Sequence, residues 1–378
     1  MIARFAAALL SLLSLPALAA IPEPPALEAS SYVLYDYDSG EVLVSNNPDL
    51  KVGPASITKV MLSYIVFDEV KKGRIKLDDL VTISEKAWRQ GKDSTESRMF
   101  LDLGSRVKVE DLLHGIITQS GNDASVALAE HVAGSEAAFA DLMNQYAAKL
   151  GMKNSHFLNA PGMPEDDHYS TAQDLVLLGA ALIRDFPEYY SWFALPEFTY
   201  NGIKQQNRNM MMAMDRSVDG IKTGHTNAAG YCMLSSAKRD DRRLVAAVMG
   251  TASTKYRAQA SLELLNYGFR FFESVKLLGK DSPAGSARLW KGVAEEVQLG
   301  TLEPLFLSLP RGSAEKAEVR PVVDGTLIAP LSQGQAVGTV TVLVDGKEVK
   351  SLPLVVLADA PAGGFFKRLW DTIRLWFA

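Results

Sequence analysis

Gly53-Pro54-Ala55-Ser56-Ile57-Thr58-Lys59-Val60-Met61-Leu62 reads as a loop that delivers a serine to the start of a helix. Pro54 suits a helix start and Ser56 an N-cap or first-turn position, after which apolar residues recur at Val60, Met61, Tyr64, Ile65, Phe67 and Val70 with helical spacing. Lys59 follows Ser56 by three residues, so hydroxyl and amine share one helix face. A serine hydroxyl is a poor nucleophile, and a neutral lysine amine within hydrogen-bond reach can take its proton. The pair is a candidate nucleophile and base. The same spacing recurs at Ser105/Lys108, Ser235/Lys238 and Ser313/Lys316, but only Ser56 opens a long apolar helix.

Both ends of the chain carry signals of location. Residues 1–20 have a secretory layout: Arg4 is the positive start, residues 5–15 are nearly all Ala, Leu and Ser, and Ala17-Leu18-Ala19 is a small-x-small cleavage site. The expectation is a periplasmic protein. At the other end, Phe366, Leu369, Trp370, Ile373, Trp376 and Phe377 fall on one side of a helix, with Lys367, Arg368, Asp371 and Arg374 largely off it. That segment is too short and too charged to span a bilayer, and its composition is that of a helix lying in a membrane interface. Residues 360–364, Ala-Pro-Ala-Gly-Gly, read as a tether that separates it from the fold.

Between these ends, 47% hydrophobic content in 378 residues suffices for a large core and, by length, two domains. The net charge of −5 grows by one unit when Arg4 is removed, and long basic runs are absent outside the C-terminal segment, which argues against a nucleic-acid partner. Cys232 is the single cysteine, and its neighbours Tyr231, Met233 and Leu234 favour burial in a strand.

Residues 32–36 and 41–44 form a hairpin pattern around Asp38-Ser39-Gly40. Helical patterns dominate from Val60 to about Phe186, at residues 109–119, 124–132, 136–150 and 171–184, with capping spacing from Thr171 to Asp174. Strands return after residues 197–200: residues 231–237 and 243–250 read as neighbours, and a helix over 255–272 closes the unit. Strands at both ends with helices between imply an α+β domain whose terminal segments share one sheet. From about Val275 short β-rich runs with turns at Pro310-Arg311-Gly312, Asp324-Gly325 and Asp345-Gly346 suggest a small all-β sandwich. The expected layout is residues 1–20 signal, 21–274 catalytic domain, 275–360 β-rich domain and 361–378 amphipathic anchor.

Two more stretches carry chemistry. Gln119-Ser120-Gly121-Asn122-Asp123 lies at a helix junction, where a hydroxyl and a carboxamide flank a glycine. Asp219-Gly220-Ile221-Lys222-Thr223-Gly224-His225-Thr226 is a strand whose glycines permit close backbone approach, so that substrate can lie along it as an added strand.

Ser56-x-x-Lys59, Ser120-Gly121-Asn122 and Lys222-Thr223-Gly224, in this order, resemble the three motifs of the serine penicillin-recognising enzymes. Gln119-Ser-Gly-Asn-Asp-Ala, Gly151-Met-Lys-Asn-Ser-His-Phe, Asn207-Arg208-Asn209, residues 218–226 and Tyr267-Gly-Phe-Arg-Phe-Phe-Glu look like the D-alanyl-D-alanine carboxypeptidases of the penicillin-binding protein 5/6 group. The similarity runs from about residue 24 to 275 and, more loosely, into the β-rich domain and tail. It implies a penicillin-recognising serine transpeptidase/β-lactamase-like domain, an antiparallel sheet with a helical subdomain.

The resemblance also implies roles. Ser56 would attack the carbonyl between two D-alanines with neutral Lys59 as base, Ser120 would relay a proton to the leaving nitrogen, and Asn122 would hold the donor peptide. Backbone N–H groups of Ser56 and His225 would bind the oxyanion. Thr223 and Arg257 would hold the terminal carboxylate beside Lys222 and Gly224. Asp174 and Arg208 match a family ion pair that shapes a nearby loop. The partners implied are the peptidoglycan stem peptide and β-lactams, with a membrane surface for the tail; cofactor and metal are expected to be none, since the five histidines show no metal spacing. Pro161 stands where close relatives often carry histidine. A β-lactamase reading is opposed by Gly121 in place of the class A aspartate and by the lack of a Glu-x-x-Leu-Asn loop. Endopeptidase or transpeptidase action at the same site, or a silent peptidoglycan-binding and shape-maintaining protein, are the other readings.

Overall fold

Val33 and Leu34 are neighbours on the strand Ser31–Asp36 (β1), yet Val33 packs into one hydrophobic core and Leu34 into another. The period of two in a strand sends alternate side chains to opposite faces, and both faces of this sheet are covered. The computed structural model describes residues 21–90 and 96–377, so the expected signal segment lies outside the described residues. In it, β1 pairs with Glu41–Asn46 (β2) on one side and, on the other, begins a run completed by Val218–Thr226 (β3), Gly230–Arg239 (β4) and Arg242–Thr251 (β5). The sheet order is β2-β1-β5-β4-β3, antiparallel throughout, with Leu34 opposite Ala246 and Lys222 opposite Leu234. N- and C-terminal segments therefore share one sheet, as expected, and β3 is one of its two edges, β2 being the other.

The helical subdomain covers one face. Thr58–Lys71 (α1), Val109–Gln119 (α2), Asn122–Ala133 (α3), Glu136–Lys149 (α4) and Ala172–Asp185 (α5) build a core with Val33, Cys232, Leu234, Val245 and Ala247. Thr171 caps α5 by accepting the Asp174 N–H at 3.1 Å. The helix Thr254–Phe271 (α6) covers the other face with Leu264, Leu265 and Phe269 against Leu34, Ala246 and Val248. Cys232 is fully buried in β4, and burial raises its thiol to about 11. The helical stretch is not purely helical: Leu80–Thr82 and Arg106–Lys108 pair within it. The Met210–214 run, expected as packing, packs through Met211, buried, and Met212, partly buried, while Met210 and Met214 are exposed because a single turn shows one side to the core.

The chain passes from α6 into the strand Phe272–Leu278 without a linker. That strand pairs with Leu305–Pro310, and six further strands form a second sheet, the two together enclosing a core of Leu289, Leu299, Leu307, Val340 and Leu354. A polar knot ties the two units. Fully buried Asp36 accepts hydrogen bonds from Arg242 Nε at 3.0 Å and Nη2 at 2.8 Å and from the Ser274 hydroxyl, while Arg242 Nη1 donates to the carbonyls of Gly268 and Phe272. The β1–β2 turn adds Ser39 to Ser308 at 2.7 Å, and Lys350 donates to the Ser39 carbonyl at 3.0 Å.

The final helix, Phe365–Leu375 (α7), corrects one expectation. Residues 360–364 are not a free tether: Ala360 bridges to Leu331 and Ala362 to Gly292, so backbone pairing holds the segment on the β-rich unit. Asp371 is buried and accepts the Lys291 N–H at 2.7 Å, and Lys367 lies 3.4 Å from Glu295. The Lys367 and Asp371 stripe of α7 thus faces the protein, and Phe366, Trp370 and Trp376 are 83%, 57% and 80% exposed.

Replacing Asp36 by Ala leaves the largely buried Arg242 guanidinium without its counter-charge, a loss of up to about 3 kcal/mol, the lower end for a buried pair because Arg242 keeps some contact with water. The expected readout is a lower urea midpoint for the whole chain; an unchanged midpoint would mean that the knot is not a fastening.

Candidate active site

A 3₁₀ turn, Ala55–Ile57, places Ser56 at the threshold of α1. Two glycines clamp this turn. A Cβ on Gly224 of β3 would stand 2.7 Å from the Pro54 carbonyl oxygen, and one on Gly162, whose φ is +83°, would stand 2.0 Å from the Ala55 carbonyl oxygen. The close backbone approach expected at β3 is therefore made first by the protein itself, which presses the nucleophile turn against the strand.

Lys59 is 1% exposed, unlike Lys108 and Lys238 of the look-alike pairs, which are exposed, and Lys316, which pairs with Asp345. Its Nζ lies 2.9 Å from Ser56 Oγ, 2.9 Å from Asn122 Oδ1 and 2.7 Å from the Pro161 carbonyl. Two of these partners are acceptors only. In the neutral amine they take the two N–H bonds, which leaves the lone pair facing Ser56. Burial, then the nearby Arg208 cation, lowers the Lys59 amine to about 7, against opposing pulls from Asp123 and Glu96. A lysine with half its population neutral near pH 7 is the base that serine activation needs.

α2 ends at Ser120, whose backbone is left-handed with φ +69°, and α3 begins at Asn122. The turn aims Asn122 at Lys59 and leaves Ser120 Oγ buried without a hydrogen-bond partner. A relay through Ser120 is thus not assembled in the resting site. On the far side, Asn122 Nδ2 donates to Glu96 Oε2 at 3.2 Å.

Lys222 and Thr223 are buried on β3, and burial, with repulsion from Lys59, Arg208 and Arg257, holds the Lys222 amine well below its usual value. Arg257 reaches from α6 beneath the strand: Nη1 donates to the Gly224 carbonyl at 2.8 Å and its Nε is buried without a partner. Burial lowers this guanidinium to about 10. His225 is exposed, and its ring stacks on Tyr231 at 4.0 Å with no carboxylate to orient it. Ser56, Asn122, Pro161 and His225 line one cleft of about 550 Å³. It adjoins a cavity of about 740 Å³ that shares Gly162, Met163, Pro164 and Thr226.

One pairing is not found. Asp174 does not meet Arg208; its carboxylate accepts the Asn154 N–H at 2.8 Å and the Ser155 hydroxyl at 2.7 Å, while Arg208 adds its charge to the Lys59, Lys222 and Arg257 group. Those two neutral donors occupy the carboxylate that the resemblance gave to Arg208.

Sequence reading missed three contributors. The Pro161 carbonyl carries no sequence signal, because backbone acceptors depend on chain path. His168 is 4% exposed; its Nδ1 accepts the Leu158 N–H at 3.2 Å, so its Nε2–H donates to Thr58 Oγ1 at 3.0 Å, and burial lowers it to about 4. Glu96 lies in an unpatterned segment. Among the described residues no group of three or more His, Cys, Asp and Glu is placed to hold a metal ion.

Comparisons with known proteins place the chain in a family. Residues 19–253 match the family D-alanyl-D-alanine carboxypeptidase, and residues 272–362 match penicillin-binding protein 5, C-terminal domain. The chain is 45% identical over 361 residues to D-alanyl-D-alanine carboxypeptidase DacA of Escherichia coli, covering 94% of this chain and 90% of that protein. It is 33% identical over 229 residues to a D-alanyl-D-alanine endopeptidase of Pseudomonas aeruginosa, covering 58% of this chain and 70% of that one. The crystal structure of penicillin binding protein 5 from Haemophilus influenzae superposes with a TM-score of 0.85 at 41% identity, over 90% of this chain and 99% of that one.

If neutral Lys59 is the base, the rate at which a fluorescent penicillin acylates Ser56 rises with pH through a midpoint near 7, since the protonated amine that dominates below this value has no lone pair. Lys59→Ala is expected to abolish labelling with circular dichroism unchanged; labelling retained by that variant would show that another base serves Ser56.

Proposed function

Because the chain belongs to the D-alanyl-D-alanine carboxypeptidase family and is a serine peptidase of the penicillin-binding protein 5/6 group, we propose that it removes the terminal D-alanine from peptidoglycan stem pentapeptides. The observation that carries the mechanism is the buried Lys59 amine, held by Asn122 Oδ1 and Pro161 O with its third position on Ser56. The peptide lies along β3, the sheet edge that borders the cleft. Ser56 Oγ attacks the penultimate carbonyl as its proton passes to Lys59, and backbone N–H groups of Ser56 and His225 receive the oxyanion.

Burial, and after it repulsion from neighbouring cations, holds Lys222 and Arg257 down, and a carboxylate entering beside them and Arg208 offsets both, which favours a substrate with a free C-terminus. Thr223 and Arg257 hold that carboxylate. The Ser120 hydroxyl, unpartnered at rest, gains its partner when the leaving D-alanine nitrogen takes its proton while the Lys59 ammonium returns to Ser120 the proton taken from Ser56, so that amine and hydroxyl are both restored as the C–N bond breaks. Water then cleaves the ester at Ser56. The adjoining 740 Å³ cavity has room for the upstream part of the stem. β-Lactams acylate the same serine.

The protein acts in the periplasm, exported by residues 1–20 and held to the membrane by α7. Support for the anchor is the docking of the Asp371 side on the β-rich unit, which turns Phe365, Phe366, Trp370, Trp376 and Phe377 outward. Among the described residues no helix is long and apolar enough to cross a membrane, and an amphipathic helix with an aromatic face of this kind suits the interface.

Protein lacking residues 1–20, incubated with diacetyl-L-lysyl-D-alanyl-D-alanine, is expected to release D-alanine and to form a covalent penicillin adduct that Ser56→Ala loses. Absence of both products would refute the carboxypeptidase reading. Truncation after Gly364 is expected to move the protein from sedimented membranes to the supernatant with tripeptide cleavage retained; a truncated form that still sediments places the anchor elsewhere.

A further inference from the structure

Residues 96–101 cross the junction between α2 and α3 as a strap. Its attachments are several and specific. The Asn122 N–H donates to the Ser97 carbonyl at 2.8 Å, Gln119 Nε2 to the Arg98 carbonyl at 3.3 Å, and buried Asp123 accepts the N–H groups of Met99 at 2.8 Å and Leu101 at 3.1 Å. Gly121 leaves room for it: a Cβ there would stand 3.1 Å from the Met99 nitrogen and 3.2 Å from Met99 Cβ. The strap delivers one carboxylate, that of Glu96, to the wall of the Ser56 cleft, where Oε2 accepts Asn122 Nδ2 at 3.2 Å.

Asn122 therefore stands between an amine and an acid. Its Oδ1 faces Lys59 Nζ and its Nδ2 faces Glu96; apart from Glu96, Nδ2 meets Met163 Sδ at 3.6 Å, a weak acceptor. A carboxylate only accepts, so it permits one orientation of the amide and rejects the flipped one. The other Nδ2 hydrogen stays available to a substrate carbonyl. Ser56, Lys59, Asn122 and Glu96 form one continuous hydrogen-bonded row.

We propose that Glu96 is a positioning residue of the acylation step: it locks the Asn122 amide with Oδ1 toward Lys59 and sets the charge field in which the Lys59 amine works. The proposal rests on Ser56 and Lys59 acting as nucleophile and base. The charged and titratable groups that act on Lys59 are Arg208 before β3, Asp123 on α3 and Glu96 on the strap, and Lys59 in turn acts on Lys222 of β3 and His168 of the loop before α5. Asp123 and Glu96 are the two that raise the amine, and the Asp123 carboxylate is occupied by the strap's N–H groups. Removing the Glu96 charge makes the amine easier to deprotonate.

Two variants separate charge from shape. Glu96→Gln keeps an oxygen that accepts from Asn122 Nδ2 and loses the charge; Glu96→Ala loses both. The second-order rate of acylation by a fluorescent penicillin is measured from pH 5 to 9, with thermal unfolding as a check that both variants fold. The expected result for Glu96→Gln is an acid limb moved to lower pH by roughly half a unit, the direction and scale of losing one nearby negative charge in a partly buried site. Glu96→Ala shows the same move together with a plateau lower by about tenfold, from the unlocked amide. An acid limb that stays in place in both variants overturns the proposal, and so does a lowered plateau with an unmoved limb, which is what a merely structural role gives. Wild-type protein that takes no penicillin at any pH overturns the acyl-enzyme reading as well; normal wild-type labelling with unmoved limbs overturns only the role of Glu96.

Discussion

An amine buried to 1% exposure and ringed by acceptors is the constraint on which the catalytic unit depends. Taking a lysine ammonium out of water is costly, and here the cost appears as a proton affinity lowered to about 7. Everything around Lys59 serves to keep it dry and aimed. α1 is buried on nearly its whole circumference from Thr58 to Phe67, so the base sits inside the helical core instead of on its rim. The Gly162 and Gly224 contacts seat the serine turn, the α2–α3 junction brings Asn122, and the loop fixed by His168 brings the Pro161 carbonyl.

The same economy explains the division between the two cores. The five-stranded sheet needs both faces covered, and the helical subdomain on one face supplies Ser56, Lys59, Ser120 and Asn122 while α6 on the other supplies Arg257. β3 is where they meet, since as the edge strand it offers one unpaired side to the cleft. Cations from three elements gather at that edge, Lys59 from α1, Lys222 from β3 and Arg257 from α6. Such a group is unfavourable in isolation and becomes favourable when an anion enters, which suits it to the free chain end of the proposed substrate.

Much of this was legible in the sequence where the signal is local or ordered along the chain. The hairpin at Asp38-Ser39-Gly40, the helix over 109–119, the capping pair Thr171 and Asp174, and the strands around Cys232 all follow from period and turn chemistry, and they appear at those places. Ser56 and Lys59 were nominated by helix spacing and distinguished from three look-alike pairs by the other two motifs. What stayed hidden depends on chain path. No pattern in Asn159-Ala160-Pro161-Gly162 says that a carbonyl will reach Lys59, and none in residues 96–101 says that they will strap a helix junction. The Asp174 and Arg208 pair failed for a related reason: resemblance transfers positions, whereas a carboxylate binds whichever donors the local loop presents, here Asn154 and Ser155.

The tail shows how the wrong inference about a linker and a sound reading of a helix can coexist. Ala360-Pro361-Ala362-Gly363-Gly364 has the composition of a flexible spacer, yet two isolated bridges and the Asp371 contact with the Lys291 N–H fasten it. Composition describes what a segment does when nothing pairs with it; a neighbouring strand with free backbone groups changes that outcome. The fastening matters for orientation. A freely tethered amphipathic helix can present any side of the attached protein to a surface, whereas α7 is fixed with Lys367 and Asp371 inward, so its aromatic side defines one outward direction for the β-rich unit. Because the Asp36–Arg242 knot joins that unit to the catalytic sheet, the direction is passed on to the Ser56 cleft. Under the proposed anchoring, the β-rich unit sets how the cleft stands relative to the surface that α7 would lie on.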